Sequence, residues 1–147
     1  MKKISIFLIL LIAFANSAYS QIKIEKIIAQ DQPHYIVTKI GYPIEGTYLY
    51  DGVSEPKTIL NANGTGVFQL NDLTKNDISW GIEATEGGIP KFKEGFNSAA
   101  YTLWYKKNMD TEENWVSTQF SIHYDKKKIF IAGERSKIYQ EEENKIR

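Results

Sequence analysis

His34 and His123 are the only imidazoles in the chain, and cysteine is absent. A zinc site would therefore have to be completed by carboxylates, since zinc takes nitrogen, sulfur or oxygen ligands from side chains. Neither histidine stands in a His-x-His or His-x-x-x-His spacing, so no metal site is expected and no cofactor is implied. Ser117, Ser121 and His123 fall on one face of a period-two segment. That supplies fragments of a hydrolytic triad without its acid, and the chain has no Gly-x-Ser-x-Gly elbow. Glu83 with Asp72 or Asp77 offers a carboxylate pair of the type used in glycoside hydrolysis, which needs a separation of about 5 to 9.5 Å. Asp72 and Asp77, however, flank Leu73-Thr74-Lys75-Asn76, which reads as a loop, where acids serve turns and solubility. Gly64-Thr65-Gly66 is too short to cradle phosphate, lacks a following Lys and opens a strand rather than a helix. No catalytic residue is assigned, and the expected class is non-enzymatic.

Aromatic side chains are the remaining source of chemistry: three Trp, nine Tyr and seven Phe in 147 residues. Ile78, Trp80 and Ile82 alternate with small or polar residues, which places Trp80 in a core. Tyr101, Leu103 and Tyr105 share one strand face and Trp104 points to the other, so one aromatic looks outward unless both faces are covered. Trp115 leads a polar face with Ser117, Gln119 and Ser121. An outward Trp104 or Trp115 beside hydroxyl and amide groups would suit stacking on a glycan or contact with a protein partner.

These residues must be positioned by strands. Period-two runs rich in β-branched and aromatic residues predict strands over Ile22–Ile28, Tyr35–Ile40, Glu45–Tyr50, Lys57–Leu60, Gly66–Leu70, Ile78–Glu83, Ala100–Lys106, Val116–Tyr124, Lys128–Ala132 and Ser136–Tyr139. Asn63-Gly64 between two of them is a tight-hairpin signal, so Asn63 and Gly64 are assigned structural roles. Gly41-Tyr42-Pro43, Asp51-Gly52, Gly87-Gly88 and Asp125-Lys126 mark other reversals, and Asn108–Asn114 is a polar connection with room for one helical turn. No segment holds helical apolar spacing over three turns, and 140–147 reads as a charged, frayed tail. The fold class is all-β, and the predominantly antiparallel strands close into a barrel or stack as a two-sheet sandwich.

Ahead of this domain, Lys2 and Lys3, the apolar run Ile4–Ala15 and the small residues of Ala18-Tyr19-Ser20 match the parts of a signal peptide. Residues 1–20 are expected to be cleaved, leaving 21–139 as one all-β domain. The apolar run is shorter than the ~20 residues that span a bilayer, so no stable membrane anchor is expected. Export to a periplasm or to the outside of a bacterial cell follows, and with no Cys there are no disulfides to hold the product together. Eighteen bases balance eighteen acids, which excludes nucleic-acid binding through a basic surface.

Gly46-Thr47-Tyr48 at the head of a strand, Leu60-Asn61-Ala62-Asn63-Gly64-Thr65-Gly66-Val67-Phe68 as a hairpin, and Ile78-Ser79-Trp80-Gly81-Ile82-Glu83 together resemble the opening of lipocalin-like barrel modules of secreted bacterial proteins. The resemblance covers Gly46 to Glu83. Tyr48 stands where that family prefers Trp, and Ile22–Ile40 precedes its first strand. The resemblance implies that Arg135 lies across Tyr48 as a cation–π lid. It also implies a binding protein in which Tyr48, Trp80 and Tyr105 line a pocket for a small apolar or aromatic ligand. The alternative is an envelope or interaction protein that meets a glycan or a protein partner through Trp104 and Trp115.

Overall fold

Strict alternation around Trp80 becomes the central strand of an all-β fold. The computed structural model describes residues 22–50, 56–125, 128–131 and 134–139. The expected signal segment, the Asp51-Gly52 turn, Lys126 of the Asp125-Lys126 turn and the tail 140–147 lie outside the described residues. The strands are β1 (Glu25–Ala29), β2 (Gln32–Val37), β3 (Gly46–Tyr50), β4 (Lys57–Leu60), β5 (Thr65–Gln69) and β6 (Lys75–Ala84). They continue with β7 (Phe92–Gly95), β8 (Ser98–Lys107), β9 (Val116–His123), β10 (Lys128–Ile131) and β11 (Glu134–Tyr139). No helix occurs among the described residues. All pairings are antiparallel, in the order β1-β2-β6-β5-β4-β3-β11-β10-β9-β8-β7, with an additional ladder between β6 and β8.

Three features differ from the sequence expectation. β7 has no counterpart there, because all four of its residues are exposed and its sequence carries no apolar alternation. Lys75, Asn76 and Asp77, expected in a loop, extend β6, where Asp77 pairs with Val67. The connection 108–114 holds turns rather than a helical turn; its start is tied down where the Asn108 N–H donates to Asp77 O at 2.9 Å.

Two turns show how short connections set the register. Gln30 and Asp31 both have positive φ (50° and 60°), which two-residue hairpin turns of type I′ require. They join β1 to β2 without the usual Asn-Gly. In the β4–β5 hairpin, Gly64 takes φ 85° and donates to Asn61 O at 3.0 Å. Asn63 Oδ1 accepts from the Thr65 N–H at 3.0 Å and from the Thr65 hydroxyl at 2.7 Å, so both residues hold the turn the sequence assigned to them.

That register brings Gly66 opposite Leu60, and a Cβ at Gly66 would stand 2.2 Å from Ile59 O. The obstacle is backbone and cannot rotate away. Gly66→Ala is therefore expected to cost about 2 kcal/mol through overpacking, read as a lower urea midpoint at unchanged slope.

Alternation sorts the apolar residues into two bodies. Tyr48, Leu60, Ile78, Trp80, Ile82, Leu103, Phe120, Ile122 and Ile129 form the main core. Ile27, Ala29, Ile36, Trp104 and Trp115 form a second cluster on the other face of the sheet, beneath the β1–β2 hairpin. Gly81 makes this cover possible, because a Cβ there would stand 2.7 Å from the Ile36 side chain.

Candidate functional site

The main core is filled at its middle and open at one end. Tyr48 is 1 % exposed; its hydroxyl donates to Ile44 O, and its ring meets Phe120 edge-on at 6.5 Å. Burial, with Glu45 and Tyr42 nearby, pushes its pKa well above the usual phenol range. Tyr101 is likewise pushed up to about 12, by burial first and then by Tyr124. Both stay neutral phenols at any ordinary pH, so neither can act as a base. Trp80 is 2 % exposed, and its indole N–H lies 2.9 Å from Thr65 O and 3.1 Å from Asn61 O. Tyr48 and Trp80 are thus packing residues, whereas the sequence reading had them line a pocket. Neither lines the recess at the open end; Trp80 borders only a small hollow of about 50 Å³ beside the Asn63-Gly64 turn.

Room remains where β4 begins, β5 and β8 end and β9 begins. A recess of about 190 Å³ is lined there by Thr58, Phe68, Gln69, Leu70, Tyr105, Thr118 and Ile131. Of the residues assigned to a pocket from sequence, only Tyr105 reaches it; its ring meets Phe68 edge-on at 4.5 Å. Thr58 and Gln69 are buried polar residues, and Gln69 Oε1 has no hydrogen-bond partner. Asn76 Nδ2, whose residue pairs with Phe68 in register, also lacks a partner. Buried polar atoms are nearly always satisfied, so the Gln69 orphan, on a residue that lines the recess, is a positive signal of a site. Sequence reasoning placed Thr58, Gln69 and Thr118 in strands but did not single them out, because only the register shows which strand ends meet.

Trp104 and Trp115 are 4 % and 6 % exposed, so of the arrangements left open by the sequence it is the one with both faces covered that holds, and neither indole is outward. The reason is the β1–β2 hairpin, which lays Ile27, Ala29 and Ile36 over both indoles and so covers the second face of the sheet. Among the described residues the exposed aromatics are instead Phe92, Phe96 and Tyr124.

A polar knot fastens the hairpin. The Trp104 indole N–H donates to Glu83 Oε2 at 2.9 Å, and His34 Nδ1 donates to Glu83 Oε1 at 3.2 Å. A carboxylate only accepts, so the His34 hydrogen sits on Nδ1. Lys91 Nζ adds a contact to Oε1 at 3.4 Å, and the His34 ring lies 4.5 Å from the Trp104 ring. Burial alone would raise the Glu83 pKa. The donors from Trp104 and His34, with Lys91, outweigh it and hold the carboxyl below its ordinary value.

This arrangement uses Glu83 as an anchor. Asp77 lies six residues away on the same strand, about 20 Å at the usual rise, which is far beyond a glycosidase pair. Asp72 serves its turn, with Oδ1 accepting from the Thr74 N–H at 2.9 Å, and that bond lowers its pKa. Among the described residues, no three His, Asp or Glu cluster as a metal site would need. Arg135 lies in β11, paired with Phe130, and its side chain is outside the described residues. No protein-family model, curated protein or solved structure matches the chain.

Proposed function

We propose that the chain is an exported binding protein that takes a small apolar or aromatic molecule into the open end of a lipocalin-like barrel. Closure is supported by the β6–β8 ladder, with which β6, β5, β4, β3, β11, β10, β9 and β8 each have a neighbour on both sides. One face is kept around that circuit: Tyr48 pairs with Thr58, Thr58 with Phe68, Phe68 with Asn76, Trp80 with Tyr105, Leu103 with Thr118, Phe120 with Ile131, and Ile138 with Tyr48. Barrels of about eight strands are either filled by side chains or hold one small ligand. Here Tyr48, Trp80 and Phe120 fill the middle, which confines a ligand to the recess.

The 190 Å³ recess is the observation that carries the reading. Export through residues 1–20, to a periplasm or to the cell exterior, belongs to the same proposal. The alternative of a glycan or protein partner loses Trp104 and Trp115 and passes to Phe92, the first residue of edge strand β7, and Phe96, just after it, which are 55 % and 96 % exposed. Calorimetric titration with single-ring aromatic and short aliphatic compounds tests the recess. Thr118→Phe fills it from the rim, and the expected result is at least a roughly tenfold loss of affinity. Unchanged affinity in that variant would put the binding site elsewhere.

A further inference from the structure

We infer that the recess selects an uncharged single-ring molecule bearing a hydroxyl, of the phenol class, with Gln69 as its polar contact. This inference rests on the recess being a ligand site, and it adds the chemistry of the occupant. Size comes first. A buried cavity of about 150 Å³ is enough to take up benzene. The recess, at about 190 Å³, has room for one ring and a small substituent.

Charge comes second. The described lining is Thr58, Phe68, Gln69, Leu70, Tyr105, Thr118 and Ile131, with no Lys, Arg, His, Asp or Glu to pair with a carboxylate or an ammonium group. A charged ligand would lose its hydration there with nothing to replace it. The third element is the orphan acceptor. Gln69 lines the recess and is 8 % exposed, and its Oε1 is buried without a partner, so a turn of the amide toward the recess lets it accept a ligand O–H and satisfies an atom that is otherwise buried alone. The Thr58 and Thr118 hydroxyls can donate or accept as the bound group requires. The rings of Phe68 and Tyr105, edge-on at 4.5 Å, supply aromatic walls.

Phenol and toluene have nearly the same shape and differ by a hydroxyl against a methyl, so they isolate the polar contact. Benzoate adds the charge. With purified chain in a calorimeter, phenol is expected to bind at least as tightly as toluene, although its hydroxyl is harder to remove from water. Benzoate is expected to bind weakest. Gln69→Leu, which removes the acceptor at similar volume, should move the phenol-to-toluene affinity ratio about tenfold towards toluene while the melting temperature is kept. Toluene binding far more tightly than phenol to the unaltered chain, or a ratio unmoved by Gln69→Leu, overturns this inference and leaves the recess as an apolar site. Failure of all three compounds to bind overturns the recess reading with it. If Gln69→Leu does not fold, the phenol and toluene comparison on the unaltered chain decides alone.

Discussion

Trp80→Ala is expected to lower the free energy of unfolding by about 3 to 5 kcal/mol, the largest effect of any single truncation considered. The indole is 2 % exposed, sits between Ile78 and Ile82 on one face of β6, and pairs in register with Tyr105 of β8. Removing it leaves a void at the junction of three ladders, because β6 is bonded to β5, β2 and β8. Its N–H also ties the strand to Asn61 O and Thr65 O at the base of the β4–β5 hairpin. Trp80→Phe separates the two contributions, since it keeps much of the volume and drops the donor. Its loss should be about half as large or less. Urea denaturation at constant slope measures both. A loss below about 1 kcal/mol for the alanine variant would mean that Trp80 is not the keystone of this core.

Glu83→Ala should cost about 3 kcal/mol at neutral pH. The substitution leaves the Trp104 N–H, on a residue 4 % exposed, without an acceptor and removes the anchor shared by His34 and Lys91. Stability should also depend on pH in a defined direction. The folded-state pKa of Glu83 is depressed, so the contribution is fully present above the ordinary carboxyl value of 4.5 and is lost as pH falls through the lower, folded value. The gap between the unaltered chain and Glu83→Gln should therefore narrow as the medium is acidified below pH about 4. A gap that stays constant over that range would show that the carboxylate charge does not hold the hairpin.

The strand pattern was legible wherever one face is buried and the other is not. Ile78, Trp80 and Ile82, and likewise Phe120 and Ile122, announce their face by alternation, and the structure buries all five. β7 was illegible for the opposite reason: with Phe92, Lys93, Glu94 and Gly95 all exposed, nothing in its composition repeats with period two. The burial of Trp104 and Trp115 depends on a hairpin some seventy residues earlier in the chain, a contact that no local window contains. The same holds for the recess. Thr58, Gln69 and Thr118 come from three strands, and they become neighbours only when the ladders fix which ends of those strands meet. His34 and Glu83 were visible as chemistry but not as partners, because their 49-residue separation is closed by β2 pairing with β6.

The two apolar bodies on opposite faces of the sheet divide the indoles between different compartments. Trp80 senses the interior, whereas Trp104 and Trp115 sense only whether the first hairpin remains seated. Intrinsic tryptophan emission is consequently a composite signal. Because a hairpin bonded to the sheet through one short ladder detaches at lower free energy than a core unravels, a red shift during mild heating or acidification should arise from those two indoles while Trp80 stays shielded from solvent. An optical melting curve on this protein should thus show two steps, and replacing Trp104 and Trp115 with Phe should erase the earlier one.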